Sequence, residues 1–192
     1  MGKSAILLFG PKGTGKTALA KLLPTLIEQA RGGSDPLQHI YDCGEGNDDG
    51  VKLIKDVSAK LNKTTLTQSG IAFYVFDEVD HLSKKTLLAL KGILNANQSI
   101  FILTTNDITK INKELKDRCV VLPMLEASAK KWLPLARRIA HDNGLTEATD
   151  DDLIHVCNES EGSARQLYEN IMCHAIAIKS ATAALMKGAG AV

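Results

Sequence analysis

A short glycine-rich segment constrains this chain more than any other feature of its sequence. It reads Gly10-Pro11-Lys12-Gly13-Thr14-Gly15-Lys16-Thr17. This string fits the pattern G-x-x-x-x-G-K-[ST]. The apolar run at residues 5–9 before it is typical of a buried strand, and residues 15–30 after it have a helical pattern. The sequence therefore predicts a strand, a tight loop and a helix in immediate succession.

A loop of this kind is suited to binding phosphate groups. Its glycines let backbone N–H groups close around phosphate oxygens, and the following helix adds its positive end. Lys16 is expected to contact the β- and γ-phosphates, and the Thr17 hydroxyl to coordinate Mg²⁺. The predicted ligands of the loop are the phosphate groups of a nucleotide and Mg²⁺. The predicted binding residues are Gly10, Pro11, Lys12, Gly13, Thr14, Gly15, Lys16, Thr17 and Ala18.

Two carboxylates, Asp77 and Glu78, end the apolar run at residues 72–76. Asp77 is predicted to hold Mg²⁺ through its water shell, as a second metal-binding residue beside Thr17. Glu78 is placed to polarise the water that attacks the γ-phosphate. The alternative is that the two carboxylates cap the helix that follows. A kinase does not need a water-activating glutamate, so Glu78 favours hydrolysis.

The first part of the chain alternates between strands and helices. Strands are predicted at residues 5–9, 39–43, 72–76, 99–104 and 120–122, and helices at 15–30, 50–62, 83–95 and 111–116. Short strands that are apolar on both faces are typical of a parallel sheet covered by helices. Pro24 is expected to kink or end the first helix. The predicted fold class is α/β, an αβα P-loop NTPase with a five-stranded parallel sheet.

The second part of the chain is predicted to be a small three-helix lid. Helices are expected at residues 128–143 and 150–158, and from Gly162 onwards, with Trp132 and Tyr168 in the core. Residues 181–192 are expected to fray. The predicted domains are therefore 1–125, which binds nucleotide, and 126–192, the lid with a flexible tail.

Composition excludes several classes of protein. There are 23 lysines and arginines against 22 aspartates and glutamates, a net charge of +1, so the overall charge does not indicate a nucleic-acid or anionic-membrane partner. It does not exclude DNA, because a basic surface can be local and balanced by acidic residues elsewhere. The four cysteines have no metal-ligand spacing. No apolar run is long enough to span a membrane. The expected location is the cytoplasm, or the host cytoplasm for a viral protein.

The motifs together resemble the AAA+ ATPases, and among these the clamp loaders. The resemblance rests on GPKGTGKT, on FYVFDE, on ILTTN at residues 102–106 and on LKDRC at residues 115–119. DEVDHLSKKTLLALKGIL is similar to the corresponding strand end and helix of replication factor C small subunits and of related phage and viral loaders. The LKDRC segment departs from the clamp-loader pattern, because Asp117 replaces a serine. The resemblance covers about residues 4–178.

The resemblance implies roles for three further residues. Asn106 is expected to orient the hydrolytic water or to contact the γ-phosphate, and Arg118 to act as an arginine finger in the site of a neighbouring subunit. Arg165 is expected to contact the nucleotide from the lid. Lys16 and Glu78 complete the implied catalytic set. Without the resemblance, a turn is the simpler explanation of Asn106. The alternative for each arginine is an ordinary surface position.

The function expected from this resemblance is ATP hydrolysis coupled to remodelling or loading a protein on DNA. The expected partners are other AAA+ subunits, DNA, and a sliding clamp or another DNA-bound protein; no membrane is involved. Lys84, Lys85 and Lys91 are candidates for the DNA-facing surface. The alternatives are a nucleotide-binding scaffold subunit, a helicase domain similar to viral superfamily 3, and a P-loop kinase.

Overall fold

The computed structural model describes residues 4–44, 50–61, 63 and 67–189, with side chains described as far as residue 177. It divides into two compact units. The first consists of Met1–Pro11 and Gly15–Met124, and the second of Lys12–Thr14 and Leu125–Val192.

The first unit contains a five-stranded sheet in which every neighbouring pair of strands is parallel. Its strands are β1 (Ala5–Phe9), β2 (Leu37–Asp42), β3 (Ala72–Asp77), β4 (Ser99–Thr105) and β5 (Cys119–Pro123). They lie in the order β2-β3-β4-β1-β5. This confirms the predicted α/β class, and it brings the ends of β1, β3 and β4 to one edge of the sheet.

Four α-helices lie between these strands in the described part of the chain: α1 (Lys16–Ala30), α2 (Gly50–Leu61), α3 (Lys84–Ile93) and α4 (Lys113–Lys116). Pro24 does not end α1, contrary to one of the outcomes expected from the sequence. The buried residues of α1 are Lys16, Ala20, Pro24 and Glu28, each four positions from the next. Because Pro24 lies on this buried stripe, its packing outweighs the local preference of proline to stop a helix.

The core of the first unit has two sides, separated by the sheet. Successive strand residues point to opposite faces, so Tyr74 and Phe76 join one cluster while Val75 joins the other. Both faces of β3 are buried, as its uninterrupted apolar sequence predicts. The largest fully buried side chains of this unit include Leu7, Leu8, Phe73, Tyr74, Phe76, Phe101, Ile102 and Leu103.

The second unit contains three helices, α5 (Ala129–Asp142), α6 (Asp150–Glu159) and α7 (Ala164–Ala189). Thr149 and Asp152 form a capping box at the start of α6. Helix α7 runs to Ala189, so residues 181–189 of the predicted flexible tail are helical, in keeping with the helix preference of their alanines. Residues 190–192 of that tail lie outside the described residues. Tyr168 is exposed on α7, which contradicts its predicted core position, whereas Trp132 packs against the core of the second unit.

None of the helices in the described ranges has the length and apolar composition needed to cross a membrane.

Candidate nucleotide site

The glycine-rich loop lies between β1 and α1, as the sequence predicts. Gly10, Gly13 and Gly15 all have positive φ angles, of 150°, 83° and 90°. A Cβ atom on Gly10 would lie 2.2 Å from the backbone oxygen of Met124, so a larger residue does not fit at this position. Gly15 is the N-cap of α1 and makes no side-chain cap. Because glycine has no side chain, Gly15 cannot cap the first backbone N–H groups of α1. N–H groups in this position at a helix N-terminus favour a bound anion.

Lys16 is buried, and its ammonium group lies against the loop itself. Its Nζ atom donates to the backbone oxygens of Gly10 at 2.8 Å and Pro11 at 2.6 Å. A positive charge in the first turn of a helix is unfavourable unless an anion offsets it, because the helix N-terminus is itself positive. Lys16 therefore adds to the preference of this loop for a negatively charged ligand.

The structure brings Thr17 and Asp77 together at the edge of the sheet. The Thr17 hydroxyl donates to Oδ1 of Asp77 at 2.9 Å, across 60 positions of sequence. Hydroxyl and carboxylate oxygens are ligands that suit Mg²⁺, which commonly takes one or two protein ligands and completes its shell with water and substrate phosphates. Among the described residues, no group of three or more His, Cys, Asp or Glu forms a metal site. The pair thus fits an ion bound together with phosphates.

Glu78 follows β3 and has an uncommon backbone conformation, with φ 58° and ψ 49°. The short 3-10 helix Val79–His81 comes next, and the Glu78 side chain makes no capping bond to it. Oε1 of Glu78 instead accepts a hydrogen bond from Nδ2 of Asn106 at 3.2 Å, and Oε2 lies 3.9 Å from Nε2 of His81. The helix-capping explanation of the Glu78 carboxylate is therefore wrong.

Asn106 lies directly after β4, beside the end of β3. Its backbone N–H donates to Oδ1 of the buried residue Asp80 at 3.3 Å, while its side chain reaches Glu78. Sequence reasoning found Asn106 but gave no role to Asp80 or to Thr104. Their contacts depend on strand pairing, which a single sequence does not display.

Arg118 lies between α4 and β5 and is half-buried. Its Nη1 donates to the backbone oxygen of Lys91 at 2.7 Å. The Lys91 side chain forms a hydrogen-bonded ion pair with Glu114. This hydrogen bond lowers the pKa of the Glu114 carboxyl, and the positive charge of Arg118 lowers it further by a smaller amount. Arg118 is thus bound to α3 and is not hydrogen-bonded to the loop or to the Asp77–Glu78 pair.

The second unit contains the remaining predicted residue, Arg165, in the first turn of α7. It is exposed, and it follows Ala164, whose backbone N–H donates to the Gly13 oxygen at 2.9 Å within the same unit. Oγ of Ser163 caps the start of this helix by accepting from the backbone N–H of Gln166 at 3.2 Å.

Comparison with known proteins identifies the family. The model of the ATPase family associated with various cellular activities (AAA) matches residues 6–125. The chain belongs to the AAA family of ATPases. No match is found among curated protein sequences. Nucleotide binding is the property that this family domain implies.

Solved structures of the AAA+ protein RuvB from Thermotoga maritima have a similar fold. Two RuvB variants superpose with a TM-score of 0.64 each, at 19% and 20% sequence identity, over 86% of this chain. The matched region is 52% and 53% of those RuvB chains, so this chain spans about half the length of the structures it matches. At this level of identity the similarity supports the fold.

Proposed function

We propose that this AAA-family chain binds Mg-ATP and hydrolyses it to ADP and phosphate. The observation that carries this proposal is the pair of hydrogen bonds that joins Thr17 to Asp77 and Asn106 to Glu78. These bonds join residues from the helix after β1, from the end of β3 and from the end of β4 at one edge of the sheet, which supports the proposal. Lys16, the buried lysine at the end of the glycine-rich loop, directly precedes Thr17 in the sequence.

Each side chain of this group has a separate task in the proposed reaction. Lys16 and the loop N–H groups bind the phosphate oxygens. Thr17 and Asp77 hold Mg²⁺, which when bound neutralises charge on the phosphates. Glu78 accepts a proton from the attacking water as a general base. Asn106, through its amide, holds the Glu78 carboxylate in one direction.

Replacement of Glu78 by glutamine tests the proposed base. Glu78→Gln keeps the size of the side chain and removes its basicity, so we expect ATP binding to be retained and turnover to fall by roughly 10²-fold or more. The control is Glu147→Gln, which changes an exposed glutamate in the second unit. ATP affinity and steady-state phosphate release measured on both variants separate binding from chemistry. Wild-type turnover in Glu78→Gln would contradict the role of Glu78.

We also propose that the active form is an oligomer similar to a clamp loader, with residues 1–125 as its nucleotide-binding domain and 126–192 as its lid. In this arrangement Arg118 completes the site of a neighbouring subunit. Two observations support such a role for Arg118. Its guanidinium donates a hydrogen bond to a backbone oxygen of α3. The strand that follows it, β5, lies at the edge of the sheet. Arg165 is proposed to contact the nucleotide from the lid.

The proposed DNA contact involves α3. Lys84 and Lys85 are exposed at its start, whereas Lys91 is paired with Glu114 and is therefore a weaker candidate. We expect primed DNA to stimulate hydrolysis, and Lys84→Ala with Lys85→Ala to remove that stimulation without changing the rate in the absence of DNA. Lys130→Ala with Lys131→Ala, a second exposed pair, on α5, is the matched control. Equal stimulation of all three proteins would show that the exposed lysines of α3 form an ordinary solvated surface and not a DNA contact.

A further inference from the structure

Thr104 lies in the penultimate position of β4 and makes contact with both site carboxylate residues. Phe76 on β3 is in register with Leu103 on β4, so the next residues on the two strands, Asp77 and Thr104, are neighbours. Thr104 is buried, with 1% of its surface exposed. Its Oγ1 atom donates to Oδ1 of Asp77 at 2.5 Å and accepts from the backbone N–H of Glu78 at 2.9 Å.

These two hydrogen bonds have a fixed direction. An ionised carboxylate only accepts hydrogen bonds and a backbone N–H only donates them, whereas a hydroxyl does both. The Thr104 proton must therefore point at Asp77 while a lone pair receives the N–H of Glu78. A side chain of the same shape without the hydroxyl, such as valine, supplies neither interaction.

The bond to Glu78 falls on a residue whose backbone is in the left-handed region. A residue with a Cβ atom adopts φ 58° and ψ 49° at a cost in energy, and it keeps that conformation only where its surroundings fix it. The Thr104 hydroxyl fixes the N–H of Glu78 on one side, and Asn106 fixes its carboxylate on the other. Both ends of Glu78 are therefore held by residues of the β4 end.

The Asp77 oxygen bound by Thr104 also accepts from Thr17. Thr104 thereby restrains the carboxylate that is proposed to hold the metal, in addition to the backbone of the proposed base. Residues that orient a metal-binding carboxylate in this way affect activity without touching substrate.

We propose that Thr104 is the positioning residue of this site, which sets the direction of the Asp77 carboxylate and the backbone conformation of Glu78 through one hydroxyl group. This role rests on the proposed ATP hydrolysis. It predicts that the hydroxyl, rather than the volume of the side chain, is what turnover requires.

The test compares three variants of the full chain. Thr104→Val removes the hydroxyl and keeps the shape, Thr104→Ser keeps the hydroxyl, and Thr86→Val removes another buried hydroxyl, on α3, that contacts neither carboxylate. We expect Thr104→Val to lower kcat by roughly 10- to 100-fold with little change in KM for ATP, and Thr104→Ser to retain most of the wild-type kcat. Thr86→Val should keep the wild-type kcat. A further readout is amide hydrogen exchange at Glu78, which should become faster in Thr104→Val only.

The possible outcomes are distinguishable. A wild-type kcat together with unchanged exchange at Glu78 in Thr104→Val overturns the role of Thr104 and leaves the proposed hydrolysis intact. An equal loss in Thr104→Ser and Thr104→Val also overturns it, because the hydroxyl is then not the cause. If the wild type does not hydrolyse ATP, the proposed function fails and this role fails with it. Thr104→Ala, which adds no methyl group beside the carboxylate, replaces Thr104→Val if the valine variant does not fold.

Discussion

The side-chain amide of Asn106 donates a hydrogen bond to Oε1 of Glu78 at 3.2 Å, although the two residues are 28 positions apart in sequence. The contact is made because β3 and β4 are adjacent and parallel, so that the residues following them emerge at the same edge of the sheet. An amide that donates to a carboxylate restrains its direction and leaves its other oxygen free to accept. The Glu78 carboxylate is therefore held in one orientation by Asn106.

Removal of the Asn106 amide is expected to slow turnover. Asn106→Ala leaves Glu78 without this donor, and we expect kcat to fall by up to roughly 10²-fold, since small errors in position of a catalytic group have effects of that size. ATP affinity should change less than kcat. Asn95→Ala, at an exposed position after α3, is the control. A kcat equal to that of the wild type would show that the Glu78 carboxylate needs no such restraint.

Removal of the Lys16 ammonium is expected to abolish nucleotide binding. Lys16→Ala deletes the buried positive charge of the loop, while Lys21→Ala removes an exposed charge from the same helix. Titration with a fluorescent ATP analogue measures both affinities. We expect binding to be lost in Lys16→Ala and unchanged in Lys21→Ala. Comparable affinity in the two variants would place the phosphates elsewhere.

Arg118 is expected to act on a neighbouring subunit. Arg118→Ala should keep ATP affinity and lose turnover, and arginine fingers contribute roughly 10³–10⁵ in rate in GTPases. Mixing Arg118→Ala with Lys16→Ala, each inactive alone, should restore part of the activity, because the Lys16→Ala subunit supplies an arginine to the intact site of the other. Specific activity should rise with protein concentration.

The first controls for this mixing experiment are the two single variants, each measured alone. The second control is a mixture of Lys16→Ala with the double variant Lys16→Ala/Arg118→Ala, because no subunit in that mixture has an intact nucleotide site. If subunits exchange and the mixture stays inactive, Arg118 does not act in trans. If wild-type activity per subunit is also independent of concentration, the oligomer itself is excluded.

Glu28 is expected to stabilise the first unit. Its side chain is fully buried on α1 and accepts from the backbone N–H of Ser69 at 3.2 Å and from its hydroxyl at 2.5 Å. Glu28→Ala leaves these partly buried donors without their acceptor, which should lower the free energy of unfolding by about 1–3 kcal/mol. Gln29→Ala, at the exposed neighbouring position, should change it by less than about 0.5 kcal/mol. Urea unfolding measures both, and equal effects would contradict a stabilising role of Glu28.

The Cys43 thiol is expected to make stability fall at high pH. Burial, together with the negative charges of Asp42 and Asp77, raises its pKa from 9.0 to about 12. Between pH 9 and 12 the unfolded chain releases a proton that the folded chain keeps, so unfolding becomes more favourable as pH rises. Melting temperatures across this range should decline less steeply in Cys43→Ala than in the wild type. Cys173→Ala, at an exposed thiol, should keep the wild-type slope, and identical slopes in all three would contradict the raised pKa.

The local elements of the site follow from the sequence because each depends on a short stretch of chain. Residues 10–17 carry their own glycines, so the presence of a tight loop between β1 and α1 follows from the local sequence. The apolar run ending at Asp77 specifies a strand buried on both faces, with carboxylates at its end. The five strands and the parallel sheet were predictable for the same reason, since short apolar strands alternate with helices.

The sequence was a poorer guide where packing opposes local preference. Proline is expected to interrupt a helix, yet α1 continues through Pro24, which lies on its buried stripe. Tyr168 was expected in a core because it is aromatic, but its position on α7 is exposed. Lys91 was grouped with Lys84 and Lys85 as a candidate for a DNA-facing surface, whereas the fold places Glu114 beside it.

The sequence by itself determined the glycine loop, the two carboxylates and the order of strands and helices, because these depend on neighbours along the chain. The tertiary structure alone decided which groups meet at the sheet edge. Thr104 contacts Asp77 and Glu78, and Asn106 contacts Glu78, only because β3 and β4 pair in one register. A shift of one residue in that register would turn these side chains to the opposite face of the sheet. The sequence therefore gives the types of residue in the site. Their relative positions depend on the pairing of β3 with β4, which are separated in the sequence.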